Sequence, residues 1–174
     1  MKKLIALSLA YLITPVGLFA AETPSAPAKP KSYQIRNVKF AELLRPEDAN
    51  SANGTRIVLY PAQTWKCLTW KLHPAGESEY QLQNHFTSKT IAAQTNAAQV
   101  VVVQVPFGSE ASKRPAWRFT KLSDGFYQII DLTSGQALSA VSTQRETIVV
   151  LAPWKDQPGQ KWELIETDPG KLTM

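Results

Sequence analysis

The chain is poor in the residues that most chemistry needs. It has one cysteine, Cys67, and two histidines, His73 and His85. A single thiol forms no internal disulfide. Two histidines twelve residues apart match no metal-ligand spacing. No nucleophile–base–orienter set is visible, and the adjacent carboxylates Glu47 and Asp48 carry no sign of the facing geometry that glycoside hydrolysis needs. The sequence is therefore not read as an enzyme, and no metal or cofactor is expected. Cys67, between Trp65 and Trp70, reads as a small buried hydrophobe.

A charge run is missing as well. Nineteen basic against fourteen acidic side chains give +5, and without Lys2 and Lys3 the balance is 17 against 14, or +3. That excess is spread thinly, and Lys113-Arg114 in "ASKRPAW" reads as a solvated loop, so no nucleic-acid partner is expected. Long apolar runs are absent beyond the start of the chain. There, Lys2 and Lys3 precede an apolar stretch from Leu4 to Phe19, followed by Ala20-Ala21. The stretch is short for a membrane span and Pro15 interrupts it, so residues 1–21 read as a secretory signal cut after Ala20 or Ala21. The expectation is an exported chain, secreted or periplasmic, with no membrane span after cleavage. Residues 22–32 carry Pro24, Pro27 and Pro30 and read as an extended polar linker.

What the sequence does have is repetition. "YQIRN", "YQLQN" and "YQIID" begin at positions 33, 80 and 127, spaced by 47 residues each time. The register continues through Leu44, Ile91 and Leu138. A β-branched pair follows in each copy (Ile57-Val58, Val102-Val103, Val149-Val150), with a proline three residues on at Pro61, Pro106 and Pro153. Each copy closes on a tryptophan, Trp70, Trp117 or Trp162, with an apolar residue two places later. The runs are short, β-branched and free of helical spacing, and clusters such as "DANSANG" and "TSGQ" supply turns. The sequon at Asn53-Gly54-Thr55 is read as one more turn. Each copy thus predicts about four strands. One copy cannot bury its own apolar face; three closing around an axis can, and closure leaves no free sheet edge.

The third copy, "YQIIDLTSGQALSAV", "IVVLAPW" and "GQKW", resembles a repeat of the ricin-type β-trefoil lectins, and the resemblance spans about residues 33–166. It implies an all-β β-trefoil over residues 33–168. The repeats would run over about 33–79, 80–126 and 127–168, with a tail at 169–174, and the closing tryptophans would lie in the core. It also implies a sugar pocket in each repeat, built from a carboxylate, a stacking ring and an amide. Here the carboxylate slot holds Arg45, Ala92 and Ser139, and the closing Gln-x-Trp survives only as Gln160-Lys161-Trp162, with Leu68 and Pro115 in the glutamine position elsewhere.

The candidate ligand-binding residues are Tyr60, Gln63 and Asp48 in the first repeat, with Glu47, Asn50 and Trp65 nearby. In the third they are Trp154, Asp156 and Gln157, and in the second Phe107, whose nearest carboxylate is Glu110. The expected function is that of an exported, non-catalytic, lectin-like protein whose partner is a glycan or glycoprotein. A β-trefoil used for protein contact, as a toxin's cell-binding subunit, an inhibitor or an assembly component, remains open beside it.

Overall fold

In a computed structural model, the described residues are 30–96, 99–109, 117–144 and 146–173. The expected signal, most of the linker, and Glu110, Lys113, Arg114 and Pro115 lie outside them. Twelve strands are described: β1 (Lys31–Asn37), β2 (Leu43–Pro46), β3 (Ile57–Tyr60), β4 (Thr69–Gly76), β5 (Glu79–Asn84), β6 (Thr90–Thr95), β7 (Val100–Val105), β8 (Trp117–Lys121), β9 (Tyr127–Asp131), β10 (Ala137–Ser142), β11 (Thr147–Ala152) and β12 (Lys161–Glu166). Six of them close a barrel in the order β1, β4, β5, β8, β9, β12 and back to β1, every pairing antiparallel.

The register of that barrel explains the repeated pentapeptide. Alternate residues of a strand share a face, so Tyr33, Ile35 and Asn37 point one way, as do Tyr80, Leu82 and Asn84, and Tyr127, Ile129 and Asp131. Each opening tyrosine stands opposite the tryptophan that closes its own repeat: Tyr33 opposite Trp70, Tyr80 opposite Trp117, Tyr127 opposite Trp162. The Asn or Asp four residues on stands opposite the tryptophan of the preceding repeat, Asn84 opposite Trp70, Asp131 opposite Trp117 and Asn37 opposite Trp162. The motif is thus written once per repeat because each copy makes both its internal seam and its seam to a neighbour. Asn84 sends Nδ2 across that seam to the Cys67 carbonyl at 2.9 Å, and Asn37 to the Gly159 carbonyl at 3.0 Å. Asp131 has no such donor; its carboxylate accepts from the Ser134 N–H and hydroxyl instead.

The three tryptophans are fully buried and share one core with Ile35, Leu44, Leu82, Ile91, Ile129 and Leu138. The other strands form hairpins, β2–β3, β6–β7 and β10–β11, across one end of the barrel. β11 meets both β3, through Ile148 and Val58, and β7, through Val150 and Val101. Val58, Val101, Val103, Ile148 and Val150 make a second cluster there, while Ile57, Val102 and Val149 face the main core. Both faces of these strands are therefore buried, and a run such as "VVVV" has no polar alternation to show. At the barrel's other end Tyr33, Tyr80 and Tyr127 surround a hollow of about 500 Å³.

The repeat reaches into the backbone. Ala41, Ser88 and Gly135, again 47 apart, all adopt left-handed conformations with φ of 56°, 56° and 69°. Each N–H of Ala41, Ser88 and Gly135 donates to the carbonyl of the Asn or Asp that ends the preceding strand. Only the third copy uses glycine, the residue that bears this conformation without steric cost. Opposite signs are expected at equivalent sites: Ala41→Gly and Ser88→Gly should raise unfolding free energy by about 0.5–1 kcal/mol, and Gly135→Ala should lower it by about 1 kcal/mol. Chemical denaturation of the three variants measures this directly.

Candidate functional site

Two clefts on the outside of the trefoil lie beside the residues singled out from sequence in the first and third repeats, although of those residues only Trp65 and Gln157 line them. The third-repeat cleft, about 560 Å³, is lined by Lys39, Ser139, Val141, Lys155, Gln157 and Gly159, among others. Its frame is Gln160, which the turn Pro158–Gln160 delivers into the protein at the start of β12. Gln160 Nε2 donates to Ser139 Oγ at 3.0 Å and to the Pro153 carbonyl at 2.9 Å, while its Oε1 accepts from the Lys155 N–H at 2.7 Å. The surviving closing glutamine is therefore a buried clamp on the loop that carries Trp154, Asp156 and Gln157. Ser139, in the carboxylate slot, is buried and donates its hydroxyl to the Ala137 carbonyl. Trp154 is half-buried on this loop, and Asp156 is exposed with φ 53°.

Lys161 ties that loop to another. Its ammonium lies 2.6 Å from Asp124 and 2.9 Å from Asp156. The Asp124 hydrogen bond, then that of Asp156, raises the Lys161 pKa, and the same Lys161 bond lowers that of Asp124. The Asp156 carboxylate is thus turned toward a lysine of its own repeat.

The first-repeat cleft, about 340 Å³, is lined by Arg45, Ala49, Trp65, Cys67 and Phe86. Arg45 occupies the carboxylate slot, and its guanidinium lies 3.7 Å from the centre of the Tyr60 ring. The Tyr60 and Trp65 rings are 5.6 Å apart and tilted by 31°. The sequence-predicted stacking residue Tyr60 is therefore half-buried with one face covered by an arginine. Asp48, expected to stand in for the missing carboxylate, is 3.8 Å from Arg45 Nη2. Glu47 is held by Arg56, and the Asn50 side chain accepts from the Ala52 N–H. Gln63 is exposed, and its backbone carbonyl accepts from Gln34. Cys67 is buried beside Leu43 and Leu68, and burial raises its pKa, against the pull of Arg45.

Phe107 in the second repeat lies against the His73 ring, with centroids 4.9 Å apart, and lines neither of these clefts. Two wall residues were missed in the sequence. Lys39 belongs to the first repeat yet lines the third-repeat cleft, and Phe86 belongs to the second yet lines the first-repeat cleft. They are equivalent positions, 47 apart. Each cleft borrows a wall from the turn of the next repeat around the barrel, a rule that the 47-residue register contains once closure is assumed.

Residues 20–105 match the family model described as ricin-type beta-trefoil lectin domain-like. Over that stretch the chain is similar to the ricin-type β-trefoil lectin domains. No curated protein matches it. Among solved structures it is similar to the designed threefold-symmetric protein ThreeFoil, at 22% identity and TM-score 0.70, covering 78% of this chain and 99% of that one. The Rhizoctonia solani agglutinin is similar at 19% identity and TM-score 0.66, over 83% of this chain and all of that one. The ricin B-like lectin of Macrolepiota procera, solved with lactose, is similar at 18% identity and TM-score 0.64, over 82% of this chain and all of that one. These likenesses carry the β-trefoil fold. Among the described residues no group of His, Cys, Asp and Glu is placed to hold a metal ion, and no helix is long and apolar enough to cross a membrane.

Proposed function

We propose that this protein is an exported, non-catalytic carbohydrate-binding module that engages glycans through shallow sites on its trefoil repeats. The family match supports carbohydrate binding at the level of the family. The observation that carries the reading for this chain is the Gln160 clamp. A buried amide with three hydrogen bonds fixes the loop of Trp154 and Gln157 beside an open cleft. A pyranose offers a C–H face to a ring and hydroxyls to amide partners, and a rigid loop presents both at little ordering cost. The Lys2–Ala21 leader pattern supports export, to the periplasm or the medium.

A second reading, a trefoil used for protein contact, is favoured by one observation: neither cleft is lined by a carboxylate. A glycan array probed with the wild-type chain separates the two. Trp154→Ala is expected to weaken binding to a positive glycan about tenfold, the loss of roughly 1.4 kcal/mol of ring contact, with an unchanged melting temperature. Tyr60→Ala, which removes the ring under Arg45, should weaken it comparably. If both variants keep wild-type affinity, these residues are not the site.

A further inference from the structure

In the first-repeat cleft the charge expected of a ricin-type sugar site is reversed. Arg45 stands in the carboxylate slot and is only 9% exposed. Its Nε is buried without a hydrogen-bond partner among the described residues. The one carboxylate paired with it among the described residues, Asp48, is 3.8 Å away, beyond hydrogen-bond reach, with a side chain 89% exposed. A guanidinium only donates, so it cannot accept a hydrogen bond from a sugar hydroxyl as a carboxylate would. The Cys67 sulfur beside it is a weak acceptor, and a cation so far out of water and so poorly matched is costly to hold. The partner that satisfies it is a planar oxyanion, which takes two parallel N–H donors.

The surroundings complete the site. Tyr60, 3.7 Å beneath the guanidinium, fixes its plane. Trp65 and Phe86 flank it, and Phe86, at 40% exposed, is one of two large apolar side chains left in water among the described residues. Rings beside a cation suit a ligand with a C–H face next to an anionic group. Resting on the glycan reading above, we propose that the first-repeat cleft takes an acidic sugar residue, a uronate-type pyranose whose carboxylate meets Arg45 and whose apolar face meets Trp65 and Phe86. Asp48, on a turn held at φ 51°, is the protein's own anion at the mouth, and the ligand carboxylate displaces it. The third-repeat cleft follows the same sign, with Lys39 and Lys155 among its lining and no carboxylate.

The test is calorimetric titration of the whole chain with a galacturonic acid trisaccharide, the neutral galactose trisaccharide, and a 6-sulfated galactose trisaccharide. The acidic sugar is expected to bind at least about tenfold tighter than the neutral one, and to weaken severalfold as salt rises from about 0.05 to 0.5 M. Arg45→Gln should abolish the acidic preference. Asp48→Asn, at an exposed position, should tighten acidic binding about threefold and leave neutral binding unmoved. Phe86→Ala should weaken acidic binding. Those two surface variants keep the proposal testable should Arg45→Gln not fold. Sulfate binding as tight as carboxylate would overturn the uronate assignment. Equal affinity for acidic and neutral sugars, or an acidic preference that survives Arg45→Gln, would overturn this inference and leave the glycan reading standing. Binding of none of the three would overturn this inference, and the glycan reading would fall with it only if the glycan array is blank as well.

Discussion

Trp117→Ala is expected to cost about 3–5 kcal/mol of unfolding free energy, enough to unfold a domain of ordinary stability. The indole is fully buried in the core shared by all three repeats. Its strand neighbours Tyr80 and Asp131 tie it to both seams at once. Removing it leaves a cavity that no single element can close. A finer expectation comes from the indole N–H groups. Trp70 donates to the Leu44 carbonyl at 2.9 Å and Trp162 to the Leu138 carbonyl at 3.0 Å, which are equivalent acceptors. Trp117 Nε1 is buried with no acceptor among the described residues.

Substitution by phenylalanine keeps a ring and deletes the donor. At Trp70 and Trp162 it strands a buried carbonyl, adding about 1–3 kcal/mol to the loss of ring volume; at Trp117 it removes a donor that was already unsatisfied. Urea unfolding of the three single variants should therefore place Trp117→Phe as the mildest by at least about 1 kcal/mol. Equal losses at all three would show that the orphaned N–H is satisfied in solution.

Much of the architecture can be read from the letters because the barrel imposes two periods on them. A period of two puts Tyr33, Ile35 and Asn37 on one face, and a period of 47 sets each copy against its neighbours. The tryptophans and β-branched pairs sit where both periods require apolar volume. The site is less legible for a physical reason: its walls come from different repeats and its charges are set by pairing. Nothing local in "LLRPEDAN" says that Arg45 lies on Tyr60, or that Asp48 faces a guanidinium and not a sugar. Lys39 and Phe86 are turn residues in the sequence and cleft walls only after closure. The left-handed backbone at Ala41 and Ser88 gave no signal either, because neither residue is the glycine that such a turn favours.

Gln160→Ala should lose both stability and ligand binding, which separates it from Trp154→Ala. The amide is buried and spends all its hydrogen-bonding groups on Ser139, Pro153 and Lys155. Its removal takes a donor from the buried Ser139 hydroxyl, which keeps its bond to the Ala137 carbonyl, and leaves the part-buried Pro153 carbonyl and Lys155 N–H short of partners, for a total of roughly 1–2 kcal/mol. The loop at 153–157 then keeps the backbone bond from the Gln160 N–H to the Gln157 carbonyl and the Lys161–Asp156 pair, and a pair exposed on its Asp156 side holds a loop weakly. Gln160→Glu makes the contrast sharper. The carboxylate keeps the acceptor for the Lys155 N–H but turns the donor that served Ser139 and Pro153 into a second acceptor facing the Pro153 carbonyl. Thermal melts and glycan titrations run side by side should show both variants falling in both measurements, Gln160→Glu more steeply as pH rises and its buried carboxyl ionises. A variant that melts like wild type while losing the ligand would make Gln160 a direct sugar contact and not the clamp its hydrogen bonds describe.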